Sequence, residues 1–544
     1  MFKTTLLYLE SVHYIISHDI FAARPVQLEL VTAKIINLNL HKTDDYEKDR
    51  NIYGISNGIS CLVCTRTLSR EQAQPFPRVI DAKGVRMFIH FGVNTFSNKE
   101  WSDGTIPVDA YNPQNLDCDQ WVKVASEAGF RYVLLVTKHH DGFCLWDNKY
   151  TDYDVASSPV KTDVVKEVSQ ACKKYGLQFG IYYSLWDRHE PSYKDKDFDK
   201  YIRYMSGQLT ELCSNYGPIC ELWFDGGWDK EVSDWQLPKI YKLVKRLQPD
   251  CAIGVNHTIV GKENSRKFIL PDSMIVDNSY FMQYFPSDFR LWDPKVAHKK
   301  DKKQYLYKGQ SYYLPFEHTV CLSKSWNWFQ KPELKPVRDL DELQELFYWC
   351  TDNGNTLVVN VAPDQDGRIR EYEANTVIAL KNRIGISKDK PLPKNGKFIS
   401  LEAKAEASSV HQNNTEKYGP QWAVDGGMQT QWIAADTLPE LIVHLDENEQ
   451  FNKISIFECC DMKTDDDGFS NIRTNRILSY RIDIWKDRQW VPIYMSDQVM
   501  GDCKVINFPH HYATSKVRFK VLKATAPPSL YEFNVINTSV KNEQ

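Results

Sequence analysis

The 544-residue sequence predicts an α/β fold: a (β/α)8-like barrel followed by a C-terminal antiparallel β-sandwich. Three observations lead there. From about residue 80, apolar strand-like runs alternate with amphipathic helical stretches, the pattern of a parallel sheet. Polar residues collect where those runs end, which is where a barrel keeps its active site. After a Lys-, Pro- and Gly-rich stretch near residue 390, the period switches to short strands separated by turn signals. The boundaries that follow are an atypical extension over 1–78, a barrel over 79–387, a linker over 388–398 and a sandwich over 399–544.

The strand candidates, in order, are VRMFIHFG (85–92), RYVLLVTK (131–138), LQFGIYYS (177–184), ICELWFDG (219–226), CAIGVNH (251–257), MIVDN (274–278) and TLVVNVAP (356–363). Helical periodicity falls between them at 117–130, 163–176, 197–217 and 237–250, and again at 340–353 and 370–385. Asp117 and Asp163 stand where N-caps belong, and Gly129, Gly176 and Gly217 stand near helix ends. His90, Lys138-His139-His140, Tyr182-Tyr183 and Asp225 all sit at the ends of early strands. A doubly wound sheet would also place a site at strand ends. It is disfavoured because no G-x-G-x-x-G opens a helix and too many strands end in polar residues for one crevice. The lysine cluster at 299–303 reads as a solvated loop.

Composition narrows the class. Hydrophobic residues at 42% and charged residues at 25% exclude a disordered chain. A net charge of −4 disfavours a nucleic-acid partner. Aromatic residues at 13% are compatible with carbohydrate recognition and equally with large cores. The 13 cysteines include a lone C-x-x-C at Cys61/Cys64 and no second pair at zinc spacing. No stretch reaches the ~18 apolar residues of a membrane span. Near the N-terminus, Glu10, His13, His18 and Asp19 interrupt the apolar run that a signal peptide needs.

Phosphate-binding glycine motifs and a G-x-S-x-G elbow are absent. Carboxylates, histidines and aromatics at strand ends remain, an inventory that suits glycoside hydrolysis. Asp225 in ELWFDGGW follows an apolar strand, where a carboxylate needs donors or a function to offset desolvation. Gly226 and Gly227 leave room for a ligand, and Trp223 and Trp228 are placed to wall a sugar. Capping the next turn is the structural alternative for Asp225. Adjacent strand residues point to opposite faces, so at most one of His139 and His140 is expected to face the mouth.

MFIHFGVNTF (87–96) with Glu100-Trp101, KHHDGFCLWDNKYTDY (138–153), GIYYSLWDRHEP (180–191), ELWFDGG (221–227) and NGNTLVVNVAPDQDG (353–367) together resemble glycoside hydrolase family 29, the α-L-fucosidases. The HFGVNTF…EW and YTDY forms resemble the α-1,3/1,4 branch. The resemblance covers about residues 80–386. It implies an exo-acting, retaining fucosidase with Asp225 as nucleophile. It also implies fucose contacts from His90, Glu100, His139, His140 and Tyr183, with Trp101, Trp326 and Trp328 packing on the sugar's apolar edge. The branch's G-(N/D)-E-x-G motif is replaced here by IGVNHTI (253–259). Glu317, in YLPFEHT, matches a glutamate found in many members shortly before an aromatic segment, so the resemblance implies the acid/base there, with Glu263 and Asp272 in the intervening loop as alternatives. Asp288 and Asp293 rank behind them. A transfucosidase and a catalytically silent fucose-binding protein are the other readings.

QWAVDGGMQTQWIA (421–434) and the RFKVLKA…YEFNV ending resemble the discoidin or coagulation-factor C-type module. That resemblance implies glycan contact or a bracing role, and a structural Ca²⁺ near Asp425. No cofactor is expected for catalysis. The expected partners are fucosylated oligosaccharides or glycoproteins, and the expected location is secreted, periplasmic or lysosomal. Sequons stand at Asn256, Asn413 and Asn537; a glycan at Asn256, inside a predicted strand, would be obstructive.

Overall fold

Eight parallel strands close into a barrel: β1 (Arg86–Ile89), β2 (Tyr132–Lys138), β3 (Gln178–Ser184), β4 (Glu221–Asp225), β5 (Ala252–Asn256), β6 (Phe289–Leu291), β7 (Phe316–Cys321) and β8 (Thr356–Asn360). Each strand pairs with its neighbours in chain order, and β8 pairs with β1. The structure is a computed structural model that describes residues 85–261, 280–291, 296–324, 326, 328–329, 336–387, 390–447, 449–464 and 471–539. The whole expected extension over 1–78, the candidate strand at 274–278, Glu263, Asp272 and Asp293 lie outside the described residues. Two barrel strands were not anticipated: β6 and β7 are short or polar, and Glu317, His318 and Thr319 hide the apolar pattern of β7.

The helices fall where the periodicity put them: α1 (Cys118–Glu127), α2 (Val164–Tyr175), α3 (Asp199–Asn215), α4 (Leu237–Leu247), α5 (Leu340–Thr351) and α6 (Glu371–Ile384). Asp117 and Asp163 accept from the backbone N–H groups of Gln120 and Lys166, so both act as N-caps. Gly176 ends α2 in the left-handed region.

Strand parity divides the core. Phe88, Leu134, Val136, Tyr182, Trp223, Phe289, Leu291 and Val358 fill the barrel interior. Their outward neighbours, such as Ile89, Leu135, Tyr183 and Phe224, pack in the layer beneath the helices.

The bottom of the barrel holds a charge cluster. Arg86 Nε lies 2.8 Å from Glu221 Oε2 and 3.1 Å from Glu317 Oε1, and its Nη1 donates to Thr356 Oγ1 at 2.9 Å. Glu317, expected at the site as proton donor, is corrected here. It is the second residue of β7, paired in register with Thr356 at the start of β8. It shares Arg86 with Glu221, four residues below Asp225 on β4, which is about 13 Å at strand rise. Burial raises its pKa well above the usual carboxylate range, Arg86 lowers it, and Glu221 raises it again. Asp288 is also remote: it accepts from Tyr241 Oη and Ile253 N and pairs with Lys245.

Two antiparallel five-stranded sheets form the C-terminal sandwich. One has the order Lys397–Phe398, Ser529–Asn537, Gln450–Glu458, Cys503–Ala513, with Trp432–Ile433 pairing on Ser529–Asn537. The other runs Ala405–Ala407, Glu440–His444, Lys516–Ala524, Ile477–Lys486, Gln489–Ser496. Phe457, Cys503 and Val505 from the sandwich join the barrel's outer core. Buried Lys453 pairs with Glu345 of α5 and bonds Asn395 at 2.6 Å. The lysine cluster is only partly solvated: the Lys299 side chain is 7% exposed, donates to Asn534 Oδ1 at 2.6 Å and lies over the Phe398 ring.

Both carboxylate oxygens of Asp425 are hydrogen-bonded. Its Oδ1 accepts from Gly427 N at 2.9 Å and its Oδ2 from Thr430 Oγ1 at 2.7 Å. Among the described residues, no three His, Cys, Asp or Glu side chains are grouped to hold a metal ion.

Removing Arg86 should unmask two buried carboxyls. Arg86→Met is expected to cost about 3–5 kcal/mol in urea unfolding. Glu317→Gln should retain sugar turnover, and loss of turnover in a folded Glu317→Gln protein would return this residue to the chemistry.

Candidate functional site

At the C-terminal mouth of the barrel, a cavity of about 270 Å³ opens over Asp225. Asp225 ends β4, and its neighbours on both sides supply donors. Tyr182 Oη of β3 donates to Oδ2 at 2.8 Å, and Asn256 Nδ2 of β5 donates to Oδ1 at 3.0 Å. His257 N in turn donates to Asn256 Oδ1 at 2.9 Å, which fixes the amide's orientation. Asn256 is 6% exposed and its amide is spent on Asp225, so a glycan has no room at this sequon.

Tyr183 is the second correction. Its hydroxyl donates to Gln208 Oε1 at 2.6 Å in the outer layer, whereas Tyr182 lines the cavity. The signal was present in the strand glycines. A Cβ on Gly180 would meet Leu134 Cδ2 at 2.4 Å, and one on Gly254 would meet the Phe289 ring at 2.3 Å. A glycine inside a strand marks close approach, and Tyr182 and Asn256 share the inward parity of Gly180 and Gly254.

Both His139 and His140 line the cavity, against the alternation argument. β2 shifts register between Val136 and Lys138 and ends at Lys138, so the two histidines stand in the turn beyond it. Lys138 points outward to Asp187 at 2.8 Å. The turn is tied down: Asn94 Nδ2 donates to Asp141 Oδ2 at 2.6 Å and to Glu100 O at 2.9 Å.

Hydrogen bonding fixes two imidazole tautomers. Asn360 Oδ1 accepts from His90 N at 3.2 Å, so it is also the acceptor for His90 Nδ1–H at 3.0 Å. Ser184 Oγ donates its proton to Trp186 O at 2.6 Å, so it accepts from His140 Nδ1–H at 2.7 Å. In both rings Nε2 is left without a proton. Burial pushes His90 down to about 3 and His140 to about 4. His140 Nε2 then stands 3.7 Å from Asp225 Oδ2, two acceptors suited to hydroxyls that donate. Burial also holds His139 well below the usual range, and its Nδ1 has no hydrogen-bond partner.

Glu100, Trp101 and Trp326 line the cavity as expected, together with Phe88, Trp223, Trp228, Asn256 and His257. Trp328 is a third correction. It is 1% exposed and packs behind the histidines, 5.2 Å from His90 and 5.4 Å from His139. Tyr182, Asn256 and His257 are cavity residues beyond those the sequence singles out; strand parity is the signal for the first two, and no sequence signal marks His257.

Neutral imidazoles and indole walls around the Asp225 and Glu100 carboxyls suit a small hydroxyl-rich ligand and poorly suit an anionic one. The class this defines is a (β/α)8-barrel enzyme acting on a sugar. The α-L-fucosidase family model matches residues 63–382, more than half the chain, and the chain belongs to this family, glycoside hydrolase family 29. Alpha-L-fucosidase 1 of Arabidopsis thaliana is 27% identical over 452 residues, covering 81% of this chain and 83% of that protein. Putative alpha-L-fucosidase 1 of Oryza sativa subsp. japonica is 28% identical, covering 78% and 77%. The crystal structure of a putative alpha-L-fucosidase from Bacteroides thetaiotaomicron is 26% identical over 84% of this chain and 95% of that one, with a TM-score of 0.46.

Two outcomes follow from this geometry. Asn256→Ala should lower kcat by about 10–10³-fold, with a smaller change in KM, because it frees the Asp225 carboxylate to swing away from the position the clamp holds. Steady-state kinetics on an aryl α-L-fucoside checks this. Acid should destabilise the fold through the buried histidines. An unfolded histidine takes up a proton near pH 6.5, whereas folded His90 and His140 resist to about 3 and 4. Stability is thus full above pH 6.5 and falls as pH drops, by about 2 kcal/mol per histidine between pH 7 and 5. Urea midpoints for wild type and His90→Gln should converge as pH falls.

Proposed function

We propose that this fucosidase is a retaining exo-enzyme that releases terminal L-fucose from α-1,3/1,4-fucosylated glycans through a fucosyl ester on Asp225. The observation that carries the reading is Asp225 clamped by Tyr182 and Asn256 at the cavity mouth, beside two imidazoles that present unprotonated Nε2 atoms. In the first step a carboxylate oxygen bonds to the anomeric carbon while the glycosidic C–O bond breaks. The departing oxygen takes a proton from an acid. In the second step that group, now a base, removes a proton from water, whose oxygen displaces the ester. Two inversions give retention.

The hydroxyl donor to Asp225 suits this sequence. Tyr182 stabilises the carboxylate before attack and releases it as the oxygen becomes an ester. Burial and Asp225 itself keep the Tyr182 phenol well above its ordinary pKa, so it stays a donor. Asn256 holds the second oxygen, which becomes the ester carbonyl if Oδ2 attacks.

With Glu317 at the barrel bottom, the acid/base is assigned to Glu263, which follows β5 in the sequence. Glu100 is the other carboxyl residue lining the described cavity besides Asp225. The proposed linkage class is supported by the HFGVNTF…EW and YTDY segments. The substrate class in turn supports action in a secreted, periplasmic or lysosomal setting. The buried contacts between α5 and the sandwich support a bracing role for the C-terminal discoidin-like region.

NMR-monitored hydrolysis of a Lewis-type trisaccharide and of α-1,2-fucosylated lactose tests the reading. α-Fucose should appear first, from the branched substrate, and vanish with Asp225→Asn. β-Fucose as the first product would exclude retention. Glu263→Ala should lose about 10²–10⁴-fold on poor leaving groups and regain rate with azide; unaltered turnover would pass the assignment to Glu100.

A further inference from the structure

Two tryptophans that meet His90 come from one loop, and the sandwich reaches the base of that loop. The chain leaves β7 at Leu322, whose N–H donates to Asn360 O at 2.9 Å, and returns at Arg338, whose N–H donates to Leu322 O at 2.8 Å. Lys324 N donates to Pro336 O at 2.7 Å, and Arg338 Nε donates to Cys321 O at 2.7 Å. Two residues past Lys324, Trp326 lines the cavity and meets His90 edge to face at 5.4 Å. Trp328 packs behind His90 and His139. A small shift of the base is therefore carried to both rings and to the imidazole they hold.

Lys324 is the point of contact. Its Nζ donates to Asp339 Oδ2 at 3.0 Å, on the residue before α5, and lies 3.9 Å from Asp502 Oδ2 of the sandwich. Asp502 is 4% exposed. Its Oδ1 accepts from Cys460 Sγ and from Asn475 Nδ2, both at 3.2 Å, and its Oδ2 faces the lysine. Burial lowers the Lys324 pKa, but the bond to Asp339 and the Asp502 charge raise it on balance, so the lysine stays a cation. Close by, Val505 N donates to Asp341 Oδ2 at 2.9 Å, which fixes the sandwich strand against the start of α5.

Bracing does not require the Asp502 carboxylate. Phe457, Cys503 and Val505 supply apolar contact, and Lys453 with Glu345 supplies a buried ion pair further along α5. A carboxylate taken out of water costs free energy unless donors and a cation answer it. Here the donors belong to the sandwich, and the cation belongs to the base of the tryptophan loop. A buried charge so answered favours one placement of the group that carries its partner.

We propose that Asp502 of the sandwich, acting through Lys324, is a positioning residue for the cavity: it holds the base of the 322–338 loop where Trp326 stands against His90. This rests on the reading of the Asp225 cavity as the fucose site. The sandwich then sets ligand affinity at a site none of its own residues line.

The test is a double-mutant cycle of Asp502→Asn and Lys324→Met, with Lys324→Arg as the conservative variant. KM for an aryl α-L-fucoside should rise about three- to tenfold in each single variant, the size of a weakened ring contact, with a smaller change in kcat. The double variant should be no worse than either single one, because both act through one contact, and Lys324→Arg should stay close to wild type. An unchanged KM, whatever happens to the urea midpoint, leaves Asp502 a brace and overturns the proposal. Losses that add in the double variant overturn it too. Calorimetric titration of L-fucose into Asp225→Asn protein, with and without Asp502→Asn, separates this proposal from the proposed reaction. Weaker fucose binding with Asp502→Asn upholds the positioning role even if no substrate is turned over. Equal binding overturns it even if turnover proceeds, and no fucose binding in either protein overturns the site reading and this proposal together. If Asp502→Asn does not fold, Lys324→Met carries both measurements under the same criteria.

Discussion

A carboxylate among indoles is stable only if something else gives it hydrogen bonds, and at Asp225 the donors come from the strands on either side. Tyr182 and Asn256 reach it because β3, β4 and β5 are in a register that pairs Tyr182 with Trp223 and Phe224 with Val255. A one-residue slip in either neighbour would turn its donor out of the barrel. The site is thus a consequence of strand pairing more than of any loop. The barrel's closed ring of eight strands holds that pairing against drift.

Charge is sorted along the barrel axis. The bottom contains Arg86 between two buried glutamates, a cluster whose members would each be costly alone. The mouth contains histidines that burial keeps neutral, around the cavity that Asp225 and Glu100 line. Phe88, Leu134, Val136 and Trp223 lie in the interior that separates these levels. The separation explains how one strand, β4, carries a carboxyl at the barrel bottom, Glu221, and one at the cavity, Asp225, without merging their environments.

The sandwich enters the same scheme from outside. Its Phe457, Cys503 and Val505 complete the barrel's outer core, and Lys453 and Lys299 are buried in polar contacts at the junction. Polar groups buried in this way fix a single relative placement, because any other leaves a charge unpaired. This gives α5, which leads into β8, a firm backing. β8 in turn carries Asn360, the acceptor that sets the His90 tautomer.

The sequence by itself determined the barrel, the sandwich, helices α1 to α6 and the strand-end origin of the chemistry. Hydrophobic period, N-capping aspartates and C-capping glycines are local properties, readable without knowing what packs on what. Strand-end position placed His90 and Asp225 at the mouth, because a residue just past a strand end in a barrel has one place to go, and the family resemblance added Glu100, Trp101 and Trp326. Tertiary structure decided the rest. Tyr182 was separated from Tyr183, and Trp326 from Trp328, by which face each strand or loop turned inward. A register shift near the end of β2 let both His139 and His140 reach the cavity. Glu317 was sent to the bottom of the barrel because it lies near the start of its strand rather than at its end. Motif and spacing carry a residue's chemistry, whereas inward direction and height along the axis are set by the pairing of strands distant in sequence.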